Sequence, residues 1–236
     1  MNAIKRNIPN AITCLNLLFG CIAIVLVFQN RLPDASWMIV FAAIADFFDG
    51  LAARILKVHS PIGKELDSLA DVVSFGVAPG MIIYHLIGTH PFDWAGLLIP
   101  IFGAIRLARF NVDTRQTFHF IGLPIPANAL LIAAFPLILQ HDQYWHSIYL
   151  TNVTFSIWFF IGLAIICSGM MVSEVKLFSL KMKNMSWASN KTRYSFVILS
   201  LICFLILSYT SVPIIMILYV LLSLMSKKSF EDPPAV

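Results

Sequence analysis

Apolar residues run along this chain in long stretches, separated by short knots of polar and turn-forming residues. Measured against the ~20 residues that cross a bilayer as a helix, the stretches mark eight candidate spans, at roughly 8–28, 35–56, 67–88, 94–113, 124–140, 153–173, 194–209 and 212–226. The last two are short and separated only by Tyr209–Pro213, which predicts a tight helical hairpin. The pattern predicts an all-α, polytopic membrane helix bundle. One integral-membrane domain is expected over residues 1–226, followed by a short tail over 227–236.

Composition strengthens this reading: 59% of the 236 residues are hydrophobic, 12% are charged, and the mean hydropathy is +0.84. A soluble domain of this size needs more polar surface. Cys14, Cys21, Cys167 and Cys203 lie inside apolar runs without metal-ligand spacing and read as small hydrophobes. The first run continues at spanning length without a small-residue cleavage site, so a cleavable leader is not expected.

Charge gives the orientation. With a cytoplasmic N-terminus, an even span count returns the C-terminus to the same side. Lys5, Arg6, Arg54, Lys57, Lys64, Arg106, Arg109, Arg115, Lys176, Lys181, Lys183, Lys191, Arg193, Lys227 and Lys228 then fall on the cytoplasmic side, and only Arg31 falls opposite. This positive-inside bias makes the net charge of +4 a matter of topology and anionic head groups, with no case for nucleic acid. Trp37, Trp94, Trp145, Trp158 and Trp187 fall mostly near predicted interfaces, as an aromatic belt would. The scattered histidines receive no role.

One polar knot does not fit simple topology. DFFDGLAARILKVHSPIGKELDSLAD (Asp46–Asp71) places four aspartates beside apolar segments. At about 100° per residue, Asp46, Asp49, Gly50, Ala53 and Arg54 share one helix face, and Asp67 and Asp71 share a face of the next helix. HSPIG between them predicts a turn that brings the two faces together. Carboxylates converging in a low-dielectric site cannot all stay ionised without compensation, so they take up protons or bind cations. Oxygen-only donors suit Mg²⁺, Mn²⁺ or Ca²⁺. On the carboxylates alone, a metal site and an ion or proton pathway are both open.

The complete pattern, D-x2-D-G-x2-A-R-x8-G-x3-D-x3-D from Asp46 to Asp71, resembles the signature of the CDP-alcohol phosphotransferase family at every fixed position. The resemblance implies transfer of a phosphoalcohol group from a CDP-linked donor to a hydroxyl, at a cytoplasmic site in a homodimer. It implies two divalent ions, Mg²⁺ or Mn²⁺ with Ca²⁺ as inhibitor or substitute, held by Asp46, Asp49, Asp67 and Asp71. Asp71 is then the general base, Gly50, Ala53 and Gly63 border the nucleotide, and Arg54 pairs with a carboxylate or phosphate. An ion transporter would instead spread polar residues across several helices and both leaflets, which this sequence does not.

IPNAITCLNLLFG, SFGVAPG (Ser74–Gly80), RLARFN (Arg106–Asn111), GLPIPANA (Gly122–Ala129) and GMMVSEVKLFSLK (Gly169–Lys181) look like the bacterial phosphatidylserine synthase branch. That branch implies CDP-diacylglycerol and L-serine as substrates in the bacterial inner membrane. Glycerol 3-phosphate, inositol phosphate or choline are the alternative acceptors. Leu177 stands where the branch usually has an aromatic residue, which bears on the acceptor if that position shapes its pocket. Asn10 and Thr13 either hydrogen-bond the CDP group or cap the first helix behind Pro9. Lys64 borders the turn as a diphosphate candidate. Arg106 and Arg109, three apart, suit the serine carboxylate or the lipid phosphate, against a plain anchoring role.

Overall fold

The computed structural model describes residues 3–58, 60–112, 119–141, 156–178 and 187–225, with backbone alone for 3–6, 119–120, 141, 178, 187–192 and 225. Arg115, Lys181, Lys183, Lys227, Lys228, Trp145 and the tail over 227–236 lie outside these residues. Two long helices come first, α1 (Ala3–Phe28) and α2 (Leu32–Leu56). Next, α3 (Pro61–Asp71) runs through a π-helical turn (Val72–Val77) into α4 (Ala78–Ile87). A 3-10 turn (Phe92–Leu97) leads into α5 (Leu98–Val112), and α6 (Ile125–His141) and α7 (Ile157–Val172) follow. The described chain closes with α8 (Trp187–Leu207) and α9 (Ser211–Met225).

Contacts fix the directions of these helices. Thr13 reaches Asp49, Lys64 reaches Asn111, and Arg109 reaches Val172 at one end of the bundle. At the other end His85 meets Asn30, and the rings of Phe92 and Trp158 and of Trp37 and Tyr209 approach within 5.5 Å and 6.1 Å. The chain therefore crosses repeatedly between a near end, which holds the aspartate knot, and a far end. The last crossing pair is the expected hairpin. Phe196 and Tyr219 would stand ~34 Å apart in one straight helix, yet their ring centroids are 5.7 Å apart. The reversal sits at Ser208–Thr210, where Ser208 takes a φ of 49°.

Among the described residues, four stretches are long and apolar enough to cross a membrane: Asn7–Phe28, Pro61–Ile87, Phe92–Val112 and Arg193–Leu224, the last of which doubles back as the hairpin. In α8, Val197, Ile198, Leu199, Leu201, Ile202, Phe204, Leu205 and Ile206 are exposed around the helix. A helix apolar on nearly every side is stable outside a core only in lipid. The protein is a helical membrane protein. Its interior packs around Phe75, Ile82, Ile99, Ile132 and Phe160, all essentially inaccessible.

Several expected boundaries move. The first helix begins at Ala3, so Pro9 lies inside it and the capping alternative for Asn10 and Thr13 falls away. The third helix begins at Pro61. The reversal is made by Lys57 in the left-handed region (φ 53°) and by Ser60, whose hydroxyl accepts from the Gly63 N–H at 3.3 Å. Gly63 is thus in the first turn of α3 and not in the loop. The all-α architecture carries one small addition at the near end. Strand β1 (His119–Ile121) pairs antiparallel with β2 (Lys176–Phe178), with Phe120 opposite Leu177. Gly122 prolongs the ribbon by donating to Val175 O at 2.9 Å. Its φ of +73° and the Met171 carbonyl where a Cβ would stand both require glycine.

Candidate active site and metal centre

The α2–α3 reversal places the ends of two antiparallel helices side by side. One ligand oxygen each from Asp46, Asp49 and Asp67 lies within 4.8 Å of the others. No ion pair reaches any of the four aspartates among the described residues. Asp67 Oδ1 is sealed from solvent and has no hydrogen-bond partner among the described residues. A buried carboxylate oxygen without a partner is costly. An all-oxygen donor set with such an oxygen fits a hard divalent cation.

Asp71 lies one turn beyond Asp67, is 8% exposed, and is not part of the three-carboxylate group. Asn16 Nδ2 donates to its Oδ1 at 3.3 Å. Ser74, in the π-helical turn, donates to Asn16 O at 2.9 Å and so ties α1 to the segment that carries Asp71. Thr13 Oγ lies 2.6 Å from Asp49 Oδ2 and 3.0 Å from Pro9 O. It has one proton to give, and the shorter approach to a charged acceptor favours Asp49. Asn16 was not singled out in the sequence, yet Asn10, Thr13 and Asn16 repeat every three residues, which was the available signal.

Between α1, α2 and α3 lies a pocket of about 660 Å³, lined by Asn10, Thr13, Asp49, Gly50, Ala53, Gly63, Lys64 and Asp67 among others. That is the size range of small-ligand sites. Its walls are low where Gly50, Ala53 and Gly63 face it. A Cβ on Gly63 would stand 2.7 Å from Asn10 Oδ1, so any side chain there displaces Asn10.

The two basic candidates at this site, Arg54 and Lys64, take different places. Arg54 is exposed, makes no ion pair among the described residues, and donates from Nε to Gly50 O at 2.9 Å, bracing its own helix. Of the two expected partners, carboxylate or phosphate, the carboxylate is not met among the described residues, because the aspartates face inward while Arg54 turns outward. Lys64 lines the pocket and donates to Asn111 O at 3.3 Å, while Asn111 Nδ2 donates to Ser68 Oγ at 2.9 Å. The end of α5 is thereby tied to α3.

The two arginines of α5 do not act as a pair. Arg109 is exposed and donates to Val172 O at 3.1 Å, satisfying the C-terminal end of α7. Arg106 is 7% exposed, with its Cζ 5.9 Å from the ring centroid of Phe110 and with Asp71 and Tyr219 as electrostatic neighbours. Leu177 is fully buried in the ribbon.

Comparison with known proteins follows the same outline. The profile of the family described as CDP-alcohol phosphatidyltransferase matches residues 6–165. A CDP-diacylglycerol–serine O-phosphatidyltransferase of Helicobacter pylori is 38% identical over 174 residues, covering 71% of this chain and 70% of the relative. A protein of the same name from Mycobacterium leprae is 33% identical over 92% of this chain and 71% of its own length. Another from Methanocaldococcus jannaschii is 36% identical over 72% of each chain.

Proposed function

This chain belongs to the CDP-alcohol phosphatidyltransferase family, and from that premise we propose that it transfers the phosphatidyl group of CDP-diacylglycerol to the hydroxyl of L-serine, releasing CMP. The observation that carries the reaction class is the convergence of Asp46, Asp49 and Asp67 beside a pocket, with Asp71 one turn deeper. The serine acceptor is supported by relatives of that name matching two thirds or more of both chains.

In this reading the cytidine diphosphate enters between α1, α2 and α3. Asn10 and Thr13 form its α1 wall, Gly50, Ala53 and Gly63 admit it close to the backbone, and Lys64 reaches its phosphates. Arg54 stands at the outer rim. Two divalent ions, Mg²⁺ or Mn²⁺, held by Asp46, Asp49, Asp67 and Asp71, supply neutralisation of the diphosphate and a more electrophilic phosphorus when bound. Asp71 takes the proton of the serine hydroxyl while that oxygen bonds to the lipid-bearing phosphorus. The bond from this phosphorus to the bridging oxygen breaks, and its electron pair leaves with CMP. Asn16 and Ser74 hold Asp71 in place for that transfer.

The near end faces the cytoplasm in this proposal, because Arg54, Lys57, Lys64, Arg106, Arg109, Lys176 and Arg193 lie in near-end segments while Arg31 lies at the far end. In a bacterium, the proposed site lies on the inner face of the cytoplasmic membrane. The catalytic domain is the whole bundle, and the working unit is a homodimer by family resemblance.

Purified protein supplied with CDP-diacylglycerol and one acceptor at a time, with Mg²⁺, Mn²⁺ or a chelator, tests the reading. CMP release is expected with L-serine and only with a divalent cation. Release with glycerol 3-phosphate, inositol phosphate or choline but not with serine would overturn the acceptor.

A further inference from the structure

Asn16 is wholly buried on α1, yet only half of its amide is satisfied. Its Nδ2 donates to Asp71 Oδ1, while its own Oδ1 has no hydrogen-bond partner among the described residues. A side chain kept for the fold alone is poorly served by such an oxygen, which retains its full desolvation cost. An apolar residue of similar size fills the same space without that cost. The half of the amide in use is the half that reaches Asp71.

What fixes Asn16 along the helix axis lies one turn further on. Ser74 donates to the Asn16 carbonyl at 2.9 Å, and within α1 that same carbonyl accepts the N–H of Gly20. Two donors share it because Gly20 has no side chain. A Cβ there would stand 2.7 Å from Ser74 Cα and closer still to the hydroxyl. Ser74 is itself wholly buried in the π-helical turn, where the Ala78 N–H reaches back five residues to Val73 O. Just beyond the turn, a Cβ on Gly80 would stand 2.8 Å from Gly96 O. The segment from the π-helical turn into α4 is therefore gripped from both sides, by α1 at Gly20 and by the 3-10 turn at Gly96. Thr13 and Asn16, three residues apart on α1, in this way hold Asp49 of α2 and Asp71 of α3 in one register.

We propose that Gly20 and Ser74 are positioning residues for the transfer step: their contact sets the axial register of α1 against the segment after α3, and through Asn16 it aims Asp71 at the acceptor hydroxyl. This rests on the reading of Asp71 as the base. Neither residue lines the pocket between α1, α2 and α3, so the contact governs transfer and leaves donor binding alone.

The test is a double-mutant cycle on CMP release from CDP-diacylglycerol and L-serine. Ser74→Ala should lower kcat about tenfold, less than the ~10²-fold that a misplacement of about 1 Å can cost. The KM for CDP-diacylglycerol should stay within about twofold. Asn16 O keeps the Gly20 N–H in this variant, so the helix is intact. Gly20→Ala should cost more, about 10–100-fold in kcat, because the added methyl parts α1 from the π-helical turn. If Gly20→Ala does not fold, Ser74→Ala alone carries the cycle. In the Asp71→Asn background there is no base left to aim, and Ser74→Ala should cost no more than about a further twofold. A fresh tenfold loss in that background, an unchanged kcat in Ser74→Ala, or a KM for CDP-diacylglycerol that rises as far as kcat falls would overturn the positioning role alone. Near-normal CMP release by Asp71→Asn would instead overturn the reading of Asp71 as the base, and the positioning role with it.

Discussion

The two ends of the bundle use aspartate in opposite ways. At the far end Asp34 sits 2.7 Å from Arg31 Nε, and Asp93 sits 3.3 Å from His90 Nδ1, each three residues from its partner. Asp34 is settled by its neighbour Arg31, and Asp93 by His90 together with the Tyr84 side chain of α4. At the near end Asp46, Asp49 and Asp67 crowd one another, and Thr13 and Asn16 offer only neutral donors to the cluster. Every local choice there leaves negative charge uncompensated. A carboxylate with local partners of its own maintains a fold, whereas carboxylates gathered without them call for a cation from outside.

The sharpest way to break this contrast is at Asp71. Asp71→Asn keeps the size and can still bond Asn16, but it cannot take a proton from the acceptor. Turnover should fall by about 10²–10⁴-fold, the usual worth of a positioned base, while CDP-diacylglycerol binding is largely kept. Near-normal CMP release by this variant would remove Asp71 from the base role. Asp49→Ala and Asp67→Ala come next and should act differently, weakening divalent-cation and nucleotide binding together. Titration of Mn²⁺ into each variant, read by calorimetry, checks this. Retention of wild-type cation affinity in both would break the metal assignment.

Why so much of this was legible in the sequence follows from the same physics. Spanning helices need long apolar runs, and the eight stretches correspond to helical segments of the described bundle. The aspartate spacing is helical, so the sharing of faces was readable before any coordinates. Side-chain direction in the loop region was not. Pro61 and Gly63 look like turn formers, but proline also suits the first turn of a helix, and Ser60 provides the cap that starts α3 there. Arg54 shares a face with the aspartates by angle, yet its long side chain swings back to Gly50 O, which helical spacing does not encode. Arg106 and Arg109 show the same limit. Three residues apart, one is buried beside Asp71 and the other caps α7, because the neighbouring helices α7 and α9 decide what each meets.

A smaller effect is expected at Thr13. Its hydroxyl orients Asp49 rather than touching a cation, and partners of that kind are worth about 10–100-fold in metal affinity. Thr13→Val keeps the shape, so the low end of that range is expected, with added cation restoring turnover. A loss that high Mn²⁺ cannot rescue would show that Thr13 contributes to more than the orientation of Asp49.

The far end supplies the smallest effect and the control for all the others. Asp34→Asn removes an exposed ion pair whose side chains are 58% and 49% accessible, so it costs no more than ~1 kcal/mol of stability. Asp34 also lies in the first turn of α2, where a negative charge meets the positive end of the helix dipole, a contribution of a few tenths of a kcal/mol. Neither term reaches the near end, since the pair is closed within one helical turn and exposed to solvent screening. Turnover and Mn²⁺ affinity should therefore match the wild type, with at most a slight fall in thermal midpoint. If Asp34→Asn weakened Mn²⁺ binding as much as Thr13→Val does, the far-end acids would be coupled to the site. The division between locally paired and cation-seeking aspartates would then fail.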